Sequence, residues 1–360
     1  MQMYTELQAT TPLVPKRSFV FLRTCKQIDQ STWVVADVPI EPSGNVGYPS
    51  GCWIQGTAER LSKVIWVEHF KIEHRSIPRK IYNILGRIGL AFGAERWVAC
   101  LERSCERKSY EMQTLPGGNE CDYEIRYMML LGQRMVDAFC QIISPTIDDD
   151  PWSFVSGPKS LKIYATLRES PYYDDPKEMV IVASTTFLLR EYSPEFVLDI
   201  LGDERRRHEW DLSGRPEVLT DVGYYTTGKN PWNAISVFEI DESSGHQILQ
   251  ETSVNRSGSL VVWSVVKHRK YDGGLPCCLP LNTLSGFAIS SKSLQNTRSR
   301  SDTSGGTFVT LGVQLRAVGI KSLDELDPKA MPMDFINKYI KETHRRVVHL
   351  LQKESACRST

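Results

Sequence analysis

Residues 48–107 constrain the fold more than any other stretch of this chain. Two apolar, strand-like runs, 51–56 and 62–70, lead straight into one helical pattern over 77–107. Ile81, Ile84, Leu85, Ile88, Phe92, Val98 and Ala99 recur at helical spacing, so one stripe of that helix faces the strands before it. A twisted antiparallel sheet has a concave face, and a long helix laid across it leaves a lined hollow unless side chains fill it. Gly86, Gly89 and Gly93 interrupt the stripe. Each glycine costs about 0.5–1 kcal/mol relative to alanine inside a helix, so three of them need a reason. Two are open: close packing of the helix backbone on the sheet, or room kept for a ligand.

The remaining segments build the same arrangement around this stretch. Residues 4–9, 18–26 and 32–38 read as strands with apolar residues on both faces, which predicts burial on two sides. Pro12 and Pro15 mark a turn at 10–15, and Pro116, Gly117, Gly118 and Asn119 mark a linker at 108–122. Met128, Leu131, Met135, Phe139 and Ile142 then predict a helix over 123–143. Strands at 161–168 and 179–189 follow, and Ser193, Pro194 and Glu195 have the chemistry of a helix start. Five further strands, 234–240, 246–252, 260–267, 284–290 and 307–316, precede an amphipathic helix at 335–351. The second half therefore has the full order of a helix-grip fold, and the first half has its later part. Residues 48–54 and 283–289 share a Ser-Gly followed by isoleucine, a short echo of one half in the other. The expected class is α+β: two tandem helix-grip modules, each an antiparallel sheet closed by a long C-terminal helix, the first incomplete. The expected boundaries are 1–107, a linker at 108–122, and 123–360.

Charge and motifs exclude much. With 43 basic and 43 acidic residues the net charge is zero, which removes the bulk electrostatic argument for nucleic-acid or anionic-membrane binding. The start has neither a basic nor an apolar signal region, and the longest apolar run, 179–189, is too short to span a bilayer. Nine cysteines without a Cys-x-x-Cys pair read as reduced structural thiols, so the chain reads as intracellular and soluble. No nucleophile elbow, zinc-protease, phosphate-loop or dinucleotide motif is present, so the expectation is a protein that is not an enzyme, with no metal or resident cofactor. Arg205, Arg206 and Arg207 read as a solvated helix end paired with Asp203, Glu204, Glu209 and Asp211, with Trp210 packed inward. His69 and His74 read as a strand end and a turn start rather than ligands. Trp33, Trp53 and Trp66, on the first sheet, are the aromatic candidates for a cavity wall, with ordinary core packing as the alternative for each.

Specific motifs carry a resemblance. Phe19-Val-Phe-Leu-Arg-Thr-Cys-Lys-Gln, Pro49-Ser-Gly-Cys-Trp-Ile-Gln, Lys63-Val-Ile-Trp-Val-Glu-His and Gly89-Leu-Ala-Phe-Gly-Ala-Glu-Arg-Trp-Val closely resemble the START domain of plant homeodomain-leucine zipper class IV transcription factors. Glu204-Arg-Arg-Arg-His-Glu-Trp-Asp, Leu249-Gln-Glu-Thr and Leu284-Ser-Gly-Phe-Ala-Ile resemble the region that follows START there. The resemblance implies a lipid- or sterol-binding regulatory module of a nuclear transcription regulator; the candidate cavity wall, read from the residues themselves, is Trp33, Trp53, Trp66, Leu85, Ile88, Gly89, Phe92 and Gly93. The family places a homeodomain and a zipper before START, and neither precedes Tyr4, so the expectation is a truncated gene product without direct DNA binding. The alternative is a protein-interaction regulator that pairs with full-length relatives through an exposed edge at 4–9.

Overall fold

A computed structural model describes residues 1–14, 16–40, 46–58, 61–71, 92–113, 120–144, 152–157, 161–169, 179–212, 220–241, 246–267, 283–292, 306–317 and 333–358. The first sheet is an antiparallel meander of β1 (Gln2–Leu7), β2 (Arg17–Gln27), β3 (Thr32–Pro39), β5 (Ser50–Ala58) and β6 (Leu61–Val67), in that order. A two-stranded ribbon joins β4 (Val46–Gly47) to β7 (Phe70–Lys71) beside it. Gly51 holds a φ of 154°, and a Cβ there would lie 2.1 Å from the Val35 carbonyl oxygen, so only glycine lets β5 approach β3 so closely.

Side chains alternate across this sheet with period two, and the register decides which of them share a face. Trp33 pairs with Ile54 and Cys52 with Trp66, so these four residues lie on one face. Trp53 pairs with Val34 and Ile65 on the other. That second face carries Leu22 at 50% exposure, Val67 at 57%, and Tyr4, Val38 and Ile65 similarly open. Burial on two sides, expected here, is not what the described residues show. The hydrophobic alternation reports a sheet residue's neighbours, not whether a second layer covers them.

Helix α1 (Ala94–Gln113) follows, then α2 (Glu120–Ile143). The linker expected at 108–122 is thus helical at both ends, because the charged and polar residues after Arg107 continue α1 for a further turn and a half. The single helix expected over 77–107 is present from Ala94 onward. Phe92 and Gly93 form a turn before it, in which the Gly93 carbonyl accepts from the Arg96 amide at 3.1 Å. Residues 72–91, including Leu85, Ile88, Gly89 and His74, lie outside the described residues.

The second sheet has nine antiparallel strands: β8 (Ser153–Ser156), β9 (Ile163–Glu169), β10 (Met179–Leu189), β11 (Thr220–Thr226), β12 (Ala234–Asp241), β13 (His246–Asn255), β14 (Gly258–Lys267), β15 (Leu284–Ser291) and β16 (Thr307–Arg316). Their spatial order is β11-β12-β13-β14-β15-β16-β10-β9-β8. β8 and β11 escape the sequence pattern, one being only four residues long and the other broken by Asp221 and Gly223 at a register shift.

Here both faces are covered. On one, Met135, Phe139 and Ile143 of α2 pack on Val180, Val182, Leu249 and Val262. On the other, α3 (Pro194–Leu201), α4 (Arg207–Trp210) and the long α5 (Met333–Arg358) pack on Ile181, Ile248, Val261, Trp263 and Phe287. The neighbours 180 and 181, or 261 and 262, go to opposite cores, which is why these strands read as unbroken apolar runs. Ser193 caps α3 as its sequence predicts, its Oγ accepting from the Phe196 amide at 3.2 Å with proline in the first turn.

The arginine cluster corrects one expectation. Arg206 pairs near the surface with Glu209 and Glu354, but Arg207 is only 1% exposed. Its guanidinium meets Asp211 at 2.6 Å, donates to Gln250 Oε1 at 2.6 Å and lies 4.6 Å from the Trp263 ring centroid. Tyr339 of α5 donates its hydroxyl to the same Asp211 at 3.1 Å. A residue four positions from its counter-ion on a one-turn helix can bury with it, so the charge was carried into the core rather than out to solvent. Trp210 is fully buried, as expected.

Candidate functional site

Helix α1 belongs to both halves of the molecule. At its start, Trp97 stacks on Trp66 of β6, ring centroids 5.4 Å apart and planes 7° from parallel. The Trp66 indole N–H donates to Glu68 Oε1 at 2.6 Å. Burial pushes the Glu68 carboxyl above its ordinary value, and this hydrogen bond only partly opposes it. Beside the stacked pair opens a cleft of about 790 Å³ whose apolar wall is Trp66 and Val98 from the first half and Leu198, Trp232 and Val254 from the second. Glu95, Glu195, Asp199 and Arg256 stand around it.

Of the residues proposed from sequence as a cavity wall, Trp66 lines this cleft. Phe92 is buried and Gly93 half-buried immediately before α1. Trp33 shares Trp66's face but is 43% exposed at the far end of β3, and Trp53 points to the opposite face. The three tryptophans therefore do not converge on one wall. Sequence reasoning placed all three on the first sheet; their separation is a matter of register, which a single sequence does not contain. It missed Leu198, Trp232 and Val254, because half of the cleft comes from residues distant in the chain. His69 stacks on Tyr48, with centroids 4.3 Å apart, as a strand-end residue would.

The other half of α1 is seated on the second sheet. Arg103 donates to the Thr227 carbonyl at 2.7 Å, to Thr227 Oγ1 at 2.5 Å and to Ser253 Oγ at 3.1 Å. Glu106 accepts from the Lys229 amide at 2.8 Å and from Asn233 Nδ2 at 3.1 Å. Arg107 pairs with Glu251 and donates to the Met129 carbonyl of α2, all of it buried. Burial pushes the Glu251 carboxyl up against the opposing pull of Arg107 and Arg103, and it pushes the Arg103 guanidinium down. A second, smaller cavity of about 280 Å³ lies at this junction, with Arg96, Arg103, Arg107, Asp137, Thr186 and Glu251 among its walls.

The stretch after β1 closes the same junction. Leu7, Ala9, Thr11, Leu13 and Val14 are buried. Ser144, at the end of α2, donates to the Ala9 carbonyl at 2.5 Å, and the Thr11 and Thr186 hydroxyls are 2.8 Å apart. What reads in sequence as a proline-marked turn is a strap laid across the second sheet. The six cysteines whose side chains are described, Cys25, Cys52, Cys100, Cys105, Cys140 and Cys357, are free. Among the described residues no helix is long and apolar enough to cross a membrane.

Comparison with known proteins bears directly on these two halves. Residues 1–107 match the START domain family and residues 124–353 match the PDF2-like C-terminal domain family. The chain is 34% identical over 342 residues to the homeobox-leucine zipper protein HDG11 of Arabidopsis thaliana, covering 87% of this chain and 46% of that protein. It is 33% identical over 379 residues to HDG12 of the same plant, covering 99% and 52%, and 34% identical over 312 residues to ROC8 of rice (Oryza sativa subsp. japonica), covering 80% and 43%. The chain thus spans about half the length of these curated relatives. With a START domain, the PDF2-like C-terminal domain behind it, and relatives of this kind along most of its length, the chain belongs to the plant homeobox-leucine zipper class IV family.

Proposed function

We propose that this chain is a non-enzymatic, lipid- or sterol-binding regulatory module of a nuclear transcription regulator, and that the 790 Å³ cleft beside Trp66 and Trp97 takes the ligand. The observation that carries the reading is the pairing of a START match over 1–107 with a cleft of ligand size, walled by two tryptophans and aliphatic side chains, where α1 leaves the first sheet. Phe92 and Gly93 lie immediately before α1, whose Ala94, Glu95 and Val98 line the cleft; Leu85, Ile88 and Gly89, assigned to the wall in the same proposal, lie outside the described residues. Trp33 and Trp53 serve as sheet packing in this reading. The relatives' printed names support a nuclear, transcription-linked setting, and the division at 1–107 and 123–360 into two modules of one architecture belongs to the same proposal.

Among the described residues Trp210, Trp263, Phe287 and Tyr339 belong to the core under α5, and neither cleft described above is lined by α5. This supports assigning the ligand to the first module and its junction rather than to the second module's grip. Native mass spectrometry of the purified chain, with and without incubation with phospholipid and sterol panels, tests this. A bound lipid and an upward shift in thermal midpoint are expected, since a ligand that binds only the folded state stabilises it by RT ln(1 + [L]/Kd), about 2.7 kcal/mol at 100 Kd. A chain that retains no lipid and shifts with none would leave pairing with full-length relatives as the better reading.

A further inference from the structure

The second module is shaped around three side chains of α1 that it does not itself own. Arg103, Glu106 and Arg107, at i, i+3 and i+4, stand on one face of that helix, and all three end in the second module. Two glycines make the space. A Cβ on Gly228 would lie 2.4 Å from Glu106 Oε2 and 2.8 Å from Asn233 Nδ2. A Cβ on Gly132 of α2 would lie 2.1 Å from Glu251 Oε2 and 2.9 Å from Ile235 Cδ1. The 227–233 loop is further closed on itself by the Thr227 amide donating to the Asn233 carbonyl at 2.7 Å, and Asn233 Oδ1 accepts from the Val254 amide at 2.6 Å.

We propose that this surface, made of the 227–233 loop, Glu251 and Ser253 of β13 and the Gly132 notch of α2, is a receptor site for a helix presenting Arg-x-x-Glu-Arg, and that its occupant, α1, carries the state of the first sheet to the second. The helix has two attachments of different kind. To the first sheet it offers an aromatic stack; to the second it offers a set of directional, largely buried polar contacts. A helix so fixed moves as a rod, and a rod displaced at Trp97 must either strain or release Arg103, Glu106 and Arg107 about two to three turns further on. Coupling of this kind is reciprocal, so loosening the receptor site also loosens the first sheet. If the cleft takes a lipid, its occupancy reaches the second module by this route; the coupling itself needs no ligand.

Hydrogen exchange of the full chain, read by mass spectrometry on peptides, tests it without any lipid. Phe21→Leu loosens β2 on the face that Trp66 shares, at a residue that none of the contacts of Arg103, Glu106 or Arg107 involves, and Phe21→Ala is the stronger variant should leucine leave β2 unchanged. The expected result is at least threefold faster exchange both in residues 17–39 and in residues 120–143 and 246–255. Adding Gly228→Ala, which drives Glu106 out of its seat, confines the effect to the first sheet. Faster exchange limited to residues 17–39 in the chain with Gly228 intact overturns the proposal, whatever the lipid experiments show.

Discussion

Arg107→Met removes the charge that faces Glu251 while keeping most of the side-chain stem, so the variant isolates the electrostatics of the junction. Glu251 is 1% exposed, and burial already pushes its carboxyl up against the attraction of Arg107 and Arg103. Breaking a buried pair from one side costs about 3–5 kcal/mol, because the remaining charge has neither water nor partner. The proton offers a way out. Holding a carboxyl neutral above its unfolded value near 4.3 costs about 1.36 kcal/mol per pH unit, hence about 5 kcal/mol at pH 8 and about 1.6 kcal/mol at pH 5.5. The sign follows from the direction of the shift: a group whose folded value is raised lends its full stability below the unfolded value and loses it as pH rises toward the folded one. Urea unfolding of Arg107→Met is therefore expected to show a loss of about 3–5 kcal/mol at pH 8 that shrinks to below about 2 kcal/mol at pH 5.5. Adding Glu251→Gln removes the ionisable group, so the double variant regains stability at pH 8 and its deficit no longer varies with pH. Equal losses at the two pH values, or a glutamine companion that restores nothing, would refute the reasoning.

Two other outcomes follow from the same structure. Arg207→Met leaves Asp211 buried beside Tyr339 without its cation and strips the Trp263 ring of its guanidinium, so thermal or urea unfolding is expected to register about 3–5 kcal/mol; a loss under about 1 kcal/mol counts against a buried pair. Desolvation pushes the thiol of half-buried Cys140 up to about 12, so at pH 8 alkylation mapped by mass spectrometry is expected to label exposed Cys25, Cys100, Cys105 and Cys357 well before it; equal labelling contradicts a desolvated thiol at the α2 face.

The strands and helices with a clear period were legible in the sequence, and those without one were not. Residues 179–189 and 307–316 were read to the residue as β10 and β16, because a doubly buried strand is a continuous apolar run bounded by polar turns. Ser193 and Pro194 announced α3 through cap chemistry that acts over a single turn. The cleft was only half legible. Trp66 was found because aromatic residues on a sheet are conspicuous, whereas Trp232 and Val254 meet it only through packing between segments more than a hundred residues apart. Arg207 was misjudged for a related reason: its ion partner Asp211 is local, but three consecutive arginines among acids look like solvated charge, and nothing local distinguishes the one whose other contacts, Gln250 and the Trp263 ring, come from the core. The seat of α1 is similar, since Arg103, Glu106 and Arg107 read locally as an ordinary polar helix face.

The strap after β1 has a consequence for how the molecule is made. Ala9 is held by Ser144 and Thr11 by Thr186, partners 135 and 175 positions downstream. A ribosome must therefore release Ser144 and Thr186, long after β1, before this strap can be locked in place, and β16, which receives Thr186 through Thr310, emerges later still. Bonds spanning such distances form slowly, since the intervening segment must first be gathered in. During that interval the nascent first sheet waits with its strap unfastened, which makes synthesis the stage at which this protein depends most on chaperones.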